Sequence, residues 1–238
     1  MRTITSIFIL LLCLKVFSQT NELEIKNQTL RIYPDAFILG TFSDLNGRFQ
    51  YIDKENQIDR YNSFEKSLGK YISYFIKRYY DTENELTKNP DNSLDLLVPK
   101  IAKRLNYTFY NENGNLIYEK LKNDEEKLSY LLGIYYRFGE KLDNDIYQIK
   151  INSYEKKEAV YRILNELECE NIILKNSSNK SQNKAIFYFE PTLRIIKYFK
   201  TLEQEKTQLE FESLSFEINS DNKNEKKNLI KNLNKIFD

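Results

Sequence analysis

The side chains that could do chemistry in this chain are carboxylates, lysines and serines, because most other catalytic residue types are missing. The sequence has no histidine and no tryptophan, and its only cysteines are Cys13 and Cys169. Without histidine there is no Ser–His–Asp or Cys–His nucleophile pair. Histidine-ligated zinc and ordinary haem ligation go with it. The chemistries that survive are a carboxylate pair, a serine activated by lysine, and a hard metal ion held by oxygens.

Each survivor can be tested on spacing. Ser67 and Lys70 have the Ser-x-x-Lys spacing of a lysine-activated serine, and Ser220-Asp221-Asn222 follows it as a second motif would. The same spacing recurs at Ser63–Lys66, Ser153–Lys156, Ser177–Lys180, Ser181–Lys184 and Ser220–Lys223, so a lysine-rich chain produces it by chance. The Lys-Thr-Gly partner is absent. Asn89, Asp91, Ser93 and Asp95 alternate like the first ligands of a calcium loop. Leu94 stands where that loop needs glycine and Lys100 where it needs a bidentate glutamate, which leaves a polar turn. Glu166, Glu168 and Glu170 bracket Cys169 and read as solvated charges where a helix meets a strand. With six glycines in the chain there is no phosphate-cradling loop. The expectation is therefore no catalytic, cofactor-binding or metal-binding residue, no cofactor, and a lone buried thiol at Cys169 with no internal disulfide. The Asn-x-Ser/Thr triplets at Asn27, Asn106 and Asn176 read as chance in so asparagine-rich a chain.

The N-terminus suggests a destination. Arg2, the apolar run Ile7–Leu14 and the small-residue positions Val16 and Ser18 follow the order of a cleavable signal peptide over residues 1–18. The run falls short of the roughly 20 apolar residues that a membrane span needs. Lipidation at Cys13 is disfavoured by the large Leu12 before it. The chain has 36 basic and 35 acidic residues, and loss of Arg2 and Lys15 with residues 1–18 would leave 34 basic against 35 acidic, a formal charge of −1. That balance predicts no attraction to nucleic acid. These features predict an exported protein, periplasmic or extracellular, with no transmembrane anchor. Its expected role is non-catalytic binding of another protein or an envelope component. The alternative is a hydrolase that works through Asp and Glu carboxylates alone.

The elements that would position any site read as α+β, an antiparallel sheet with helices packed on one face. Ala36–Thr41 and Arg48–Asp53 read as strands of a hairpin across Asp44-Leu-Asn-Gly47. Asn62 with Glu65, and Asn123 with Glu126, have capping-box spacing and predict helices after each. Asp95–Leu105 reads as a helix opened or kinked by Pro99. Tyr107–Tyr110 and Leu116–Tyr118 read as a hairpin. From Ile146 the order strand, helix Glu155–Leu167, strands Asn171–Leu174 and Ala185–Phe189, helix Leu193–Phe199 and strand Leu209–Ile218 is the ferredoxin-like βαββαβ order, although Leu193–Phe199 would also read as a strand and Glu155–Phe189 would also suit a winged-helix unit. A Lys-rich amphipathic helix is expected over Asn222–Asp238. The predicted organisation is 1–18 signal peptide, 19–140 N-terminal α+β region and 141–238 C-terminal α+β region, the last two able to form one domain. No internal repeat is visible in the residues.

Overall fold

The computed structural model describes residues 30–44, 48–49, 52–142, 145–176 and 184–203. The signal-peptide segment, the turn at 45–47, the strand expected at 209–218 and the C-terminal helix lie outside these residues. The chain divides into two compact units, Met1–Arg31 and Ile32–Asp238. All the elements below belong to the second.

The first element corrects the sequence reading. Pro34–Thr41 is a helix, α1, not a strand. Pro34 sits in its first turn, where the fixed φ suits a helix and no N–H is missed. All six residues from Ala36 to Thr41 are buried, so the run is apolar all round and has no 3.6-residue period to betray it. Strand β1 (Gln57–Tyr61) follows. The Asn62–Glu65 capping box forms as expected and starts a short 3₁₀ turn that leads into α2 (Lys66–Tyr80). The segment after it differs from expectation. Glu85–Lys88 (β2) and Leu94–Leu97 (β3) pair as a hairpin, and the helix starts only at Pro99, giving α3 (Pro99–Phe109). The hairpin expected at 107–118 shrinks to one bridge between Tyr110 and Leu116, because Tyr107–Phe109 complete α3.

A second series then runs α4 (Asp124–Phe138), β4 (Gly139–Lys141), β5 (Tyr147–Ile151), α5 (Tyr154–Glu166), β6 (Glu170–Asn176), β7 (Ala185–Glu190) and α6 (Leu193–Thr201). The Asn123 side chain caps α4 by accepting from the Glu126 N–H. Leu193–Phe199 is helical, as the βαββαβ order requires. The edge of β5 that a final ferredoxin-like strand would take is held by β4.

The two series repeat one topology. The sheets run β1-β3-β2 and β4-β5-β7-β6, all antiparallel, so β1, β2 and β3 correspond to β5, β6 and β7. Strands β1 and β5 even share one burial pattern. The repeat that the residues hide is thus plain in the fold. The halves meet along α1 and α4. Phe37 lies 5.8 Å from Tyr136 between ring centroids, and the Tyr33 N–H donates to Ser129 Oγ at 3.0 Å. The close approach needs two glycines. A Cβ on Gly40 would lie 2.1 Å from the Tyr130 carbonyl oxygen, and one on Gly133 would lie 2.0 Å from that of Phe37.

Each sheet turns one face to the helices. In the second sheet Tyr147, Ile149, Ile151, Ala185, Phe187 and Phe189 are buried. Tyr147 packs on Tyr135 of α4 and Phe199 of α6, which themselves stack at 4.0 Å. By strand alternation the other face carries Gln148, Lys150, Ile186, Tyr188, Ile173 and Lys175.

Candidate functional site: a buried charge cluster

The fold brings charged side chains to the C-terminal ends of α1 and α4. Asp44 and Arg48 come from the segment after α1, Asp59 from β1 and Glu65 from the turn before α2. Arg137 comes from the last turn of α4 and Lys156 from the first turn of α5. Arg48, Asp59 and Lys156 are at most 1% exposed. Charges so buried are tolerable only when paired and hydrogen-bonded.

Arg137 ties the halves together. Its Nε donates to Glu65 Oε1 at 2.8 Å and its Nη1 to the Thr41 carbonyl at 2.6 Å and to Asp59 Oδ2. Burial opposes its charge, yet Asp59 and Glu65 hold its pKa above the ordinary arginine value. Asp59 also accepts from the Ser43 N–H at 2.9 Å and the Ser43 hydroxyl at 3.0 Å. Lys156 spans the same seam. Its Nζ donates to the Phe42 and Gly40 carbonyls at 2.6 and 3.1 Å and lies 3.5 Å from Asp44 Oδ2. Two cations thus cap the free carbonyls at the α1 C-terminus, where the helix dipole favours positive charge. Burial lowers the Lys156 pKa to about 8, against the pull of Asp44.

Arg48 completes the cluster. Its Nε donates to Asn106 Oδ1 at 3.0 Å, its Nη2 donates to the Ile58 carbonyl, and its guanidinium covers the Phe42 ring at 3.6 Å. Its Nη1 lies 3.7 Å from Asp44 Oδ1 and 3.6 Å from Asp59 Oδ1, beyond a direct hydrogen bond to either. Asp44 has a positive φ of 43° and accepts from the Tyr110 hydroxyl at 2.9 Å, while its Oδ1 has no hydrogen-bond partner. Burial and Asp44 push the Tyr110 pKa well above 10.

Sequence reasoning named none of these residues as a group. The residues it weighed stay apart. Ser67 is buried while Lys70 is exposed on the same helix. Asp91 folds back on Ser93, accepting from its N–H at 3.0 Å and its hydroxyl at 2.6 Å, and Asp95 pairs with Arg60 at 2.7 Å. Glu166 accepts from Tyr118 and pairs with Lys127. Cys169 is half-buried, and burial pushes its thiol up to about 11, away from nucleophilic use at neutral pH.

No family model and no curated protein matches the chain. Solved structures are similar to it. One, of mesophilic variants of the homing endonuclease I-DmoI, is 17% identical, with 71% of this chain and 93% of that one covered and a TM-score of 0.48. Another, I-DmoI in complex with DNA and manganese, is 16% identical, covers 71% and 94%, and has a TM-score of 0.46. A third, full-length DUF199/WhiA from Thermatoga maritima, is 12% identical, covers 90% and 70%, and has a TM-score of 0.45. Against an endonuclease seen on its target DNA, four sequence expectations are corrected. These are the exported envelope binder, the signal and secretion reading, the periplasmic or extracellular location, and the absence of a nucleic-acid partner. A near-zero formal charge averages over the whole molecule, so by itself it says nothing of the charge on any one face.

A cluster with three carboxylates can be tested as a metal centre on its own chemistry, and the residues do not fit. Both Asp59 oxygens already accept from Ser43 or Arg137, and the bare Asp44 Oδ1 faces a guanidinium. Arg48, Arg137 and Lys156 would all repel a divalent cation placed there. Among the described residues no group of three or more Asp, Glu, Cys or His could hold a metal ion.

Proposed function

We propose that this protein binds nucleic acid and does not cut it. The observation that carries the binding is the outward face of the second sheet. Lys150 and Lys175 flank Ile186 there, with Tyr188 and Ile173 in the next row. Ile173 is 54% exposed, and Lys175 Nζ lies 5.0 Å from the Tyr188 ring centroid. Cations beside an aromatic and aliphatic platform suit phosphate contact and base stacking. The face is not uniformly basic, since Glu140 pairs with Lys150 at 3.1 Å, so moderate, salt-sensitive affinity is the expectation. The charge cluster supports binding without cleavage, because its carboxylates are neutralised by its own cations.

Fluorescence anisotropy with labelled duplex and single-stranded oligonucleotides tests the reading. The wild type should bind at low salt. Lys150→Glu with Lys175→Glu should weaken binding by roughly tenfold or more, given one slope unit per lost phosphate contact. Strands should stay intact through incubation with magnesium or manganese. No binding at 50 mM salt, or cut strands, overturns it.

A further inference from the structure

The helices α2 and α5 hold equivalent places in the repeated topology, which makes each a control for the other. Helix α5 carries Lys156, Lys157 and Arg162 against Glu155, Glu158 and Glu166. Helix α2 carries Lys66, Lys70, Lys77 and Arg78 and has no acid along its 15 residues. A chain-wide excess of lysine would load both helices alike, so it does not account for the difference. The cations of α2 are also ordered on one side. Lys70, Tyr74, Lys77 and Arg78 are exposed at helical spacing, Lys66 is half-buried one turn earlier, and Tyr74 is 61% exposed. Ile72, Phe75 and Ile76 face the opposite way and are buried. Glu65 precedes the helix and is held by Arg137, Asp81 caps its far end, and Glu83 lies 3.5 Å from Lys77, both partners of that pair being well exposed.

We infer that the outer stripe of α2 is a second phosphate-binding surface, contacting the nucleic-acid backbone without reading its sequence. The inference rests on the nucleic-acid reading above and adds a place to it. Charge complementarity selects the occupant. Four cations on four turns, with one exposed tyrosine among the lysines, match a run of phosphates. An anionic membrane is the poorer match, because a helix lying on a bilayer needs a wide apolar face to sink into it. The apolar face of α2 is spent on its own sheet, through contacts with β1, β2 and β3. The stripe points away from that sheet, so it meets a different stretch of polymer from one lying on an outward sheet face.

The experiment uses the full chain and the salt dependence of binding to duplex DNA. The variants are Lys66→Gln/Lys70→Gln/Lys77→Gln on α2 and, as the control, Lys157→Gln on α5. Each lost phosphate contact removes about 0.9 from the slope of log K against log salt. The triple variant should therefore lower the slope by roughly 2–3 and the affinity at low salt by more than tenfold. Lys157→Gln should leave the slope within about half a unit. Lys70 and Lys77 are exposed and Lys66 and Lys157 half-buried, none of them in the core, so the melting temperature should hold and a folding defect would be visible. A triple variant that binds with the wild-type slope overturns this inference and leaves the sheet-face reading standing. A wild type that binds no nucleic acid overturns both. Slope loss on anionic vesicles but not on DNA assigns the stripe to membranes and also overturns it.

Discussion

Lys156 is the residue whose charge state the fold decides. Unfolded, its amine keeps its proton to about the ordinary 10.5, whereas in the folded protein burial lowers the pKa to about 8. Asp44 and Asp59 oppose that shift, and the nearby Arg137 and Arg48 add to it. Between those two values the unfolded chain binds more protons, so this group makes stability rise with pH. Below about 8 both states hold the proton and the full cost of the buried charge is present. From about pH 7.5 to 9.5 the wild type should gain on the order of 1 kcal/mol in denaturant unfolding, a rise that Lys156→Met should lack. A flat difference between the two across that range would place the ammonium in a wetter site. Above about 10 the trend should reverse, because burial raises the pKa of Tyr61, Tyr110 and Tyr130, which ionise sooner unfolded. At this scale the sequence was legible where partners are local. Asn62 with Glu65 and Asn123 with Glu126 cap their helices as spacing said. The cluster was not legible, because Arg137 finds Asp59 at a separation of 78 residues and Lys156 finds Phe42 at 114. Only the fold brings such groups together.

Legibility of whole elements followed exposure. Helix α5 shows a clear period, and its expected face of Val160, Ile163 and Leu164 is buried. Helix α1 does not, because every side chain from Ala36 to Thr41 points into protein. An unbroken apolar run of that length fits a buried strand equally well, and only Pro34 and Asp35 mark a helix start. What the run encodes instead is close packing on α4. Alanine is the better helix former and would gain about 0.5–1 kcal/mol at Gly40 or Gly133 on propensity alone. The added methyl would meet backbone atoms, at 2.1 Å in the first case and 2.0 Å in the second, and neither main chain can swing away as a flexible side chain would. Overpacking of this kind costs typically 1–3 kcal/mol and should win. Gly40→Ala and Gly133→Ala are each expected to lower stability by about 2 kcal/mol in urea titration. A gain of stability at either site would mean that the helices stand further apart than described here.

The described residues form two copies of one topology joined through their first helices, and that join governs how they fold. A single copy would expose the apolar surface of its first helix. Helix α1 has eight residues, too few to persist alone in water, where even good sequences need roughly 12–15. Its stability comes from α4, from Arg137 on the Thr41 carbonyl and from Lys156 on the carbonyls of Gly40 and Phe42. All three of those supports belong to the other half. We therefore propose that the two copies of the repeat, which divide before α4 and not at the 140/141 boundary expected from the sequence, fold as one domain. The cut that tests this falls at the exposed turn Asn111–Asn113, before α4, so that each piece keeps one copy of the repeat. Pieces 1–111 and 112–238 made separately should lack the cooperative thermal transition of the whole chain, and should regain it when refolded together. Salt should weaken reassembly only slightly, because the pairs across the seam are buried and little screened. A first piece that melts cooperatively alone, with protected α1 amides in hydrogen exchange, would show that the halves are independent and that the α1–α4 seam is a docking contact and not a shared core.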